Sequence, residues 1–150
     1  MSTITESDLN QQLEEILERM ASRDYVSALA ALEQIPLMAR TPLVLSAYAI
    51  CMAEVKGASK SAVNLCHEAI KKDPKNPEHY YRQGRILILA GRKKDSIWVL
   101  RMGLRHGRHK GIIDTLGSLG IRRAPPLDFL SRSNLLNRCL GIFLARLNLR

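Results

Sequence analysis

Two pairs of residues in the sequence have types and spacings that could support chemistry. His106 and His109 stand three apart in RHGRHKG, and on a helix this spacing can place two metal ligands on one face. No nearby Cys, Asp or Glu completes a site, and the surrounding positive charge opposes a cation. We therefore expect no metal and no other cofactor, but a basic, solvated helix end.

The second pair, Cys66 and His67, is adjacent in the sequence. Neighbours on a helix point in different directions, so these two do not form a nucleophile–base pair. The sequence also contains no phosphate-binding loop, dinucleotide fingerprint or paired catalytic carboxylates. We therefore expect no enzymatic activity.

Cysteine usage and the first residues indicate the compartment. The three cysteines lie in apolar, helical contexts, which is typical of structural thiols in a reducing cytoplasm. The first twenty residues are acidic and polar, unlike a secretory signal, and no apolar run approaches the ~18–20 residues of a membrane span. The predicted location is the cytoplasm.

Charge is distributed unevenly along the 150 residues. Residues 1–76 contain 8 Lys and Arg and 10 Asp and Glu, whereas residues 77–150 contain 15 and 4. The first half therefore has a net charge of −2 and the second half +11. Such an asymmetry favours an anionic partner without identifying its class.

The elements that must position these residues recur with a period of 34. Glycines 57 and 91 are 34 apart, and three further columns share this spacing. Periods of this length indicate stacked repeats in which each unit is one supersecondary element. The columns are Ala28, Ala62 and Ser96; Leu32, Cys66 and Leu100; and Ile35, Ala69 and Gly103.

Each period is predicted to be a helical hairpin. Gly57 and Gly91 stand where a first helix must end, and glycine adopts the left-handed conformation there without steric cost. In DPKNP, Asp73-Pro74 ends one helix, and Asn76 caps the next with Pro77 at its first position. Gly84 is expected to allow that next helix to pack closely against its neighbour.

With these features the chain resembles the tetratricopeptide repeat (TPR). The units are 43–76, 77–110 and a degenerate 9–42, in which Arg23 replaces the turn glycine and Pro36 should shorten the second helix. The resemblance implies one all-α domain over 1–150, a right-handed α-solenoid of three hairpins with C-terminal capping helices. The signature positions matched are Ala62, Cys66, Ala69, Pro74, Tyr80, Gly84, Leu87, Gly91, Ser96, Leu100 and Gly103.

Residues 111–150 are predicted to be a helical extension. The segment 110–120 has the pattern of a short helix, IRRAPP at 121–126 breaks it, and Ser133 is a candidate cap for a closing amphipathic helix. This helix is expected to cover the end of the stack. Alternatively, the helix lies on an anionic membrane surface with its apolar face down, or it pairs with a second copy or a partner helix.

The resemblance also implies where a ligand would bind. In the TPR family the first helix of each unit lines an inner face that receives extended peptides or a partner's helix. Leu13 and Leu17 at this face are expected to be packed, and a terminal-carboxylate clamp is not expected, since Leu13, Leu17 and Glu78 replace the residues it needs. The predicted ligand-binding residues are Tyr48, Tyr81, Arg82, Arg85 and Ile88.

A basic stretch follows in the third unit. Arg92, Lys93 and Lys94 are assigned to a turn, and four cations follow on the second helix and just past it, namely Arg101, Arg105, Arg108 and Lys110. We interpret this stretch as a solvated face. Nucleic acid is not an expected partner, because Trp98 is predicted to be packed in the hairpin and leaves no stacking platform.

Taken as a whole, the sequence predicts a non-enzymatic protein-interaction module that acts as an adaptor, scaffold or chaperone. The expected partner is a protein or peptide, and the arginines at the end of the inner face favour an acidic one. The alternative is a peripheral membrane or polyanion-binding protein that acts through its basic C-terminal half.

Overall fold

The computed structural model describes residues 6–36 and 39–120. The chain divides into two compact units, Met1–Leu116 and Gly117–Arg150, and only residues 117–120 of the second are described. The predictions made for Ser133 and the closing helix lie outside the described residues. The helices are α1 Glu6–Ala21, α2 Tyr25–Glu33, α3 Pro42–Lys56, α4 Lys60–Lys72, α5 Pro77–Leu89, α6 Lys93–Leu104 and α7 Lys110–Ser118.

The helix starts follow from capping residues in the sequence. Thr41, Ser59 and Asn76 accept a hydrogen bond from the backbone of α3, α4 and α5 respectively, at 3.4, 3.2 and 3.1 Å. These side chains satisfy donors that a helix leaves free at its start. The predicted joint at 73–77 is confirmed, since α4 ends at Lys72 and α5 begins at Pro77. The predicted shortening before Pro36 is confirmed too, because α2 has 9 residues and α4 has 13.

A residue with a positive φ angle follows the first helix of every unit. Arg23, Gly57 and Gly91 have φ angles of 65°, 91° and 73°, and they are spaced 34 residues apart. Arg23 adopts this conformation although its Cβ crowds the following carbonyl oxygen, at a cost of roughly 1–2 kcal/mol. The degenerate first unit therefore keeps the turn and loses the residue that suits it.

We expect Arg23→Gly to raise the free energy of unfolding by about 1 kcal/mol, because it removes this crowding at an exposed turn. Urea denaturation of both proteins measures the difference. The matched control is Arg19→Gly, in the exposed last turn of α1, which should lower stability by about 1 kcal/mol. A loss of stability in Arg23→Gly would show that the positive φ angle of Arg23 does not destabilise the turn.

The repeat columns form the core. Ala28, Ala62 and Ser96 are fully buried, and so are Leu32, Cys66 and Leu100. A Cβ atom added to Gly84 would lie 2.6 Å from Cγ of Leu100. The predicted close packing at Gly84 is thus confirmed, and α5 and α6 form one hairpin.

The structure contradicts the sequence prediction for Trp98. Its side chain is 66 % exposed, because Ser96, Val99 and Leu100 turn the buried face of α6 towards α5 and leave Trp98 on the opposite face. The 34-residue period could have predicted this exposure, since Asn64 and Ala30 are in phase with Trp98 and are also exposed. Lys93 and Lys94, assigned to a turn, are the first residues of α6.

Among the helices that the structure describes, none is both long and apolar enough to span a membrane.

Candidate functional site

A cleft of about 460 Å³ opens between the end of α1, the α1–α2 turn and α5. Its apolar lining comes from α1, and its polar lining comes mainly from α5. The face of α5 is set by helical geometry, because positions three and four residues apart lie on one side of a helix. The lining residues are Leu17, Met20, Ala21, Arg23, Tyr25, Glu78, Tyr81, Arg82 and Arg85.

Among the ligand-binding residues predicted from the sequence, Tyr81 is the one whose side chain is most accessible to a ligand. It is half-buried and lines both this cleft and a neighbouring one of about 220 Å³, which Ile88 and Arg85 also line. Its ring packs against His109 at 4.9 Å between centroids. Its hydroxyl has no hydrogen-bond partner among the described residues. Tyr81 therefore offers a fixed ring and a free hydroxyl.

Arg85 connects three helices at the boundary of the two clefts. One guanidinium nitrogen donates to the Tyr25 hydroxyl at 2.9 Å and forms an ion pair with Glu54. The guanidinium also lies over the ring of Tyr25 at 5.6 Å and that of Tyr81 at 5.9 Å. Arg85 thereby orients both tyrosines, and its side chain remains 29 % exposed to the cleft.

Arg82 lies in the lining but is only 4 % exposed. Its guanidinium donates to Glu78 at 2.8 Å, to the Leu43 carbonyl at 3.0 Å and to Ser46 Oγ at 2.9 Å. Burial opposes ionisation of Glu78, but Arg82 and His109 outweigh it and hold the pKa of Glu78 below its usual range. This geometry gives Arg82 a structural role, and its contact with a ligand stays a prediction.

Tyr48 is not brought together with the other predicted residues. It lies outside both clefts, packs against the first core cluster and is covered by Arg40, whose guanidinium lies 4.6 Å from the ring centroid. Its neighbours Ala47 and Ala49 on α3 are fully buried. Its role in ligand binding stays a prediction.

Several lining residues were missed by sequence reasoning. Arg23 was considered only as the residue that replaces a turn glycine, and Tyr25 was not identified. Glu54 pairs with Arg85 across 31 positions, and Tyr25 pairs with it across 60. Pairing across such distances leaves no signal in a single sequence, whereas the phase of Arg23 with Gly57 and Gly91 could have placed it at the rim.

The two histidines of RHGRHKG are held by side chains far away in the sequence. His109 Nε2 lies 2.7 Å from a carboxylate oxygen of Glu78, although no acidic partner was expected. His106 stacks on Tyr80 with 5.2 Å between ring centroids. Among residues 6–36 and 39–120, no group of three His, Cys, Asp or Glu residues is suited to a metal ion.

The described cysteines are buried thiols. Burial raises the pKa of Cys51 to about 11 and that of Cys66 to about 12. Both are therefore protonated at neutral pH, whereas the nucleophilic form of cysteine is the thiolate. Cys51 is fully buried in the first core cluster and offers a ligand no contact.

A buried polar chain supports the wall of the cleft. His79 is fully buried, with Nδ1 2.9 Å from Ser46 Oγ and Nε2 3.3 Å from the Asp73 carboxylate. The tautomer with its proton on Nε2 satisfies all three side chains, because Nε2–H donates to Asp73 while Nδ1 accepts from Ser46. Burial lowers the pKa of His79, and the bond to Asp73 only partly opposes this.

We expect stability to fall as the pH drops below about 6.5, where an unfolded histidine protonates before the folded His79 does. The unfolded chain then binds more protons, so the loss runs from that pH down through the lowered pKa of the folded state. Urea denaturation between pH 5 and 7 measures it. His79→Gln should reduce this dependence, whereas His67→Gln, on the exposed face of α4, should retain it. Equal pH profiles would refute the assignment.

The fold is similar to that in the crystal structure of the Sgt2 TPR domain from Aspergillus fumigatus. The TM-score is 0.61 and the sequence identity 20 %, over 86 % of this chain and 92 % of that chain. No protein-family model and no curated protein matches the sequence. With the seven helices of the described residues, this likeness confirms the all-α fold of TPR-like hairpins predicted from the sequence.

Proposed function

We propose that this chain, with the fold of a TPR domain, is a non-enzymatic protein-interaction module that holds a peptide or partner helix in the cleft between α1 and α5. The observation that carries the proposal is the lining of the cleft. Two tyrosines and three arginines line it together with Leu17, Met20 and Ala21 of α1, which form an apolar strip. Tyrosine and arginine are enriched at the hot spots of protein interfaces. An adaptor, scaffold or chaperone role in the cytoplasm fits this site.

The charges of the cleft favour an acidic ligand. Of the three arginines in its lining, Arg82 is paired with Glu78 and Arg85 with Glu54, which leaves the charge of Arg23 unpaired among the described residues. Arg23 is exposed at the rim, and its side chain forms no ion pair with another described residue. Arg23 and the Tyr81 hydroxyl are therefore the groups available to a ligand carboxylate.

The apolar strip supplies the second half of the recognition. Leu17 and Met20 are half-buried and lie beside the aromatic rings. A flexible methionine adapts its shape to different apolar side chains. The ligand best suited to the cleft has an apolar anchor next to one or more carboxylates.

The side chains that could form a catalytic site do not support a catalytic function. Ser46, His79 and Asp73 have the composition of a hydrolytic triad, yet Ser46 and His79 are both fully buried. Their hydrogen bonds are used within the fold, with Arg82 placed on the serine oxygen. A substrate carbonyl could not reach Ser46 without unfolding α3 and α5, so we assign this chain of groups to stability.

Selection from a displayed library of random 12-residue peptides tests the proposal. We expect the selected peptides to share an apolar residue flanked by Asp or Glu. Tyr81→Ala should weaken binding of such a peptide by about 5- to 30-fold, since the ring contributes contact area and fixes the ligand. Fluorescence anisotropy with a labelled selected peptide measures the change.

Charge reversal at the rim gives a matched pair of variants. Arg23→Glu should weaken the acidic peptide about 10-fold or more, whereas Lys75→Glu changes the net charge equally at an exposed position outside the cleft. Arg85 is unsuited to this test, because a carboxylate there would face Glu54. Peptides without acidic residues, or equal binding to both variants, would sink the proposal.

A further inference from the structure

We propose that the exposed face of α6 binds single-stranded nucleic acid through Lys94, Trp98, Arg101 and Arg105. These four residues, the α6 stripe, are all exposed. The inference concerns a different face from the cleft and does not depend on the function proposed above. It follows from the position of Trp98, which the structure places in the centre of a basic surface.

Helical geometry brings the four side chains together. At roughly 100° per residue, the spacings of four, three and four place the stripe within an arc of about 60° on α6. Ser96, Val99, Leu100 and Gly103 occupy the opposite side of the helix and are buried. One face of α6 therefore builds the hairpin, and the other presents an indole between cations.

Trp98 is unusually available for its size. Its side chain is 66 % exposed, and no described residue stacks on its ring or hydrogen-bonds its indole N–H. Tryptophan is highly buried on average, since exposing its large apolar surface is unfavourable. An exposed indole is suited to stacking on a flat π system, and every nucleobase supplies one.

The cations of the stripe are also free to meet phosphates. Lys94, Arg101 and Arg105 form no ion pair with another described residue. Asp95, the acidic residue of α6, lies off the stripe and is paired with Arg92 at 2.7 Å. The stripe spans about 16 Å along the helix, enough for several nucleotides. A positively charged track with an aromatic platform is the arrangement that single strands require.

Charge complementarity selects an external polyanion as the occupant. The residues after 120 contain six arginines and one acidic residue, so their net charge has the same sign as that of the stripe. The half of the chain from residue 77 has a net charge of +11, which attracts polyanions over a longer range.

Trp98 is the single tryptophan of the chain, so its fluorescence reports on the site directly. We would titrate full-length protein with 20-residue oligothymidine, oligouridine and the corresponding DNA duplex at 50 mM salt. Both single strands should quench Trp98 as they bind, which would distinguish stacking from binding elsewhere. The duplex should bind less tightly, because its bases are already stacked.

The variants separate stacking from charge. The affinities of the variants are measured by the fluorescence anisotropy of a dye-labelled oligonucleotide, which does not need Trp98. Trp98→Ala should weaken binding of the single strands by about 5- to 150-fold, whereas Trp98→Phe keeps a ring and should retain most of the affinity. Val26→Ala removes an equally exposed apolar side chain, at 67 %, and should change nothing. Circular dichroism verifies that each variant is folded.

Arg101→Gln/Arg105→Gln should reduce the salt slope of log affinity by about 1.4, since each phosphate contact on a single strand contributes about 0.7. Lys71→Gln/Lys75→Gln removes the same charge from exposed positions outside the stripe and should leave the slope unchanged. Tyr81→Ala, in the cleft, should leave nucleic acid binding unchanged.

Three results would overturn the proposal. The first is no binding at 50 mM salt, and the second is binding that Trp98→Ala leaves unaltered. The third is polyglutamate binding as tightly as the single strands, which would assign the stripe to an acidic protein partner.

Discussion

Replacing Arg82 with methionine is expected to lower the free energy of unfolding by about 2–4 kcal/mol. Arg82 is 4 % exposed and donates to Glu78, to the Leu43 carbonyl and to Ser46. Methionine fills a similar volume but leaves these acceptors without their donor. Removing one member of a buried ion pair costs about 3–5 kcal/mol, and the 31 % exposure of Glu78 reduces this figure.

Urea denaturation at pH 7.5 measures the Arg82 effect away from the titration of His79. Arg101→Met is the matched control, because it makes the same chemical change at an exposed position of α6 and should alter stability by less than about 0.5 kcal/mol. Equal stabilities of the two variants would show that Ser46, His79 and Asp73 hold the packing of α3 on α5 without Arg82. The prediction would then be wrong.

Leu100→Ala is expected to lower the free energy of unfolding by about 2–5 kcal/mol. Leu100 is fully buried and packs against Gly84, across the pair of helices α5 and α6. Truncation removes buried apolar contacts and leaves a cavity that the helices cannot fully close. Leu89→Ala, at a position of α5 that is 47 % exposed, is the control and should cost much less.

Because Leu100 and Gly84 are in contact, we expect the effects of substituting them on the free energy of unfolding to be non-additive. Gly84→Ala alone should destabilise, because its Cβ would lie 2.6 Å from Cγ of Leu100. In the Leu100→Ala background the same methyl enters the cavity, and alanine is also the better helix former. The double mutant should therefore be more stable than the sum of the single changes by about 1–2 kcal/mol. Additive effects would contradict the contact.

Much of the fold could be predicted because each hairpin is specified locally. The small and large residues of the 34-residue columns fix which face of a helix is buried, and Asn76-Pro77 fixes where α5 begins. These signals act within a few positions of the helix they define. The incorrect assignment of Trp98 shows their limit, because a large apolar residue was placed in the core by its type and not by its phase.

The candidate site was predicted only in part. Tyr81, Arg85 and Ile88 line adjoining clefts, as the face of one helix implies. Hydrogen-bond partners from other helices decide how available these side chains are to a ligand. Arg82 was predicted to bind a ligand, and within the fold its guanidinium donates to Ser46 and Glu78. Exposure of a side chain depends on which other segments pack over it, and the periodicity of one helix does not predict those segments.

By itself, the sequence determined the all-α fold, the period of 34 and the positions of most helix ends, because capping, glycine turns and apolar periodicity are properties of neighbouring residues. Only the tertiary structure decided which polar residues were left for a ligand. Arg82, His79 and His109 acquired hydrogen-bond partners from distant segments, whereas Tyr81, Arg23 and Trp98 remained available. The physical reason is that hydrogen bonding and burial depend on distances between segments that only packing brings together.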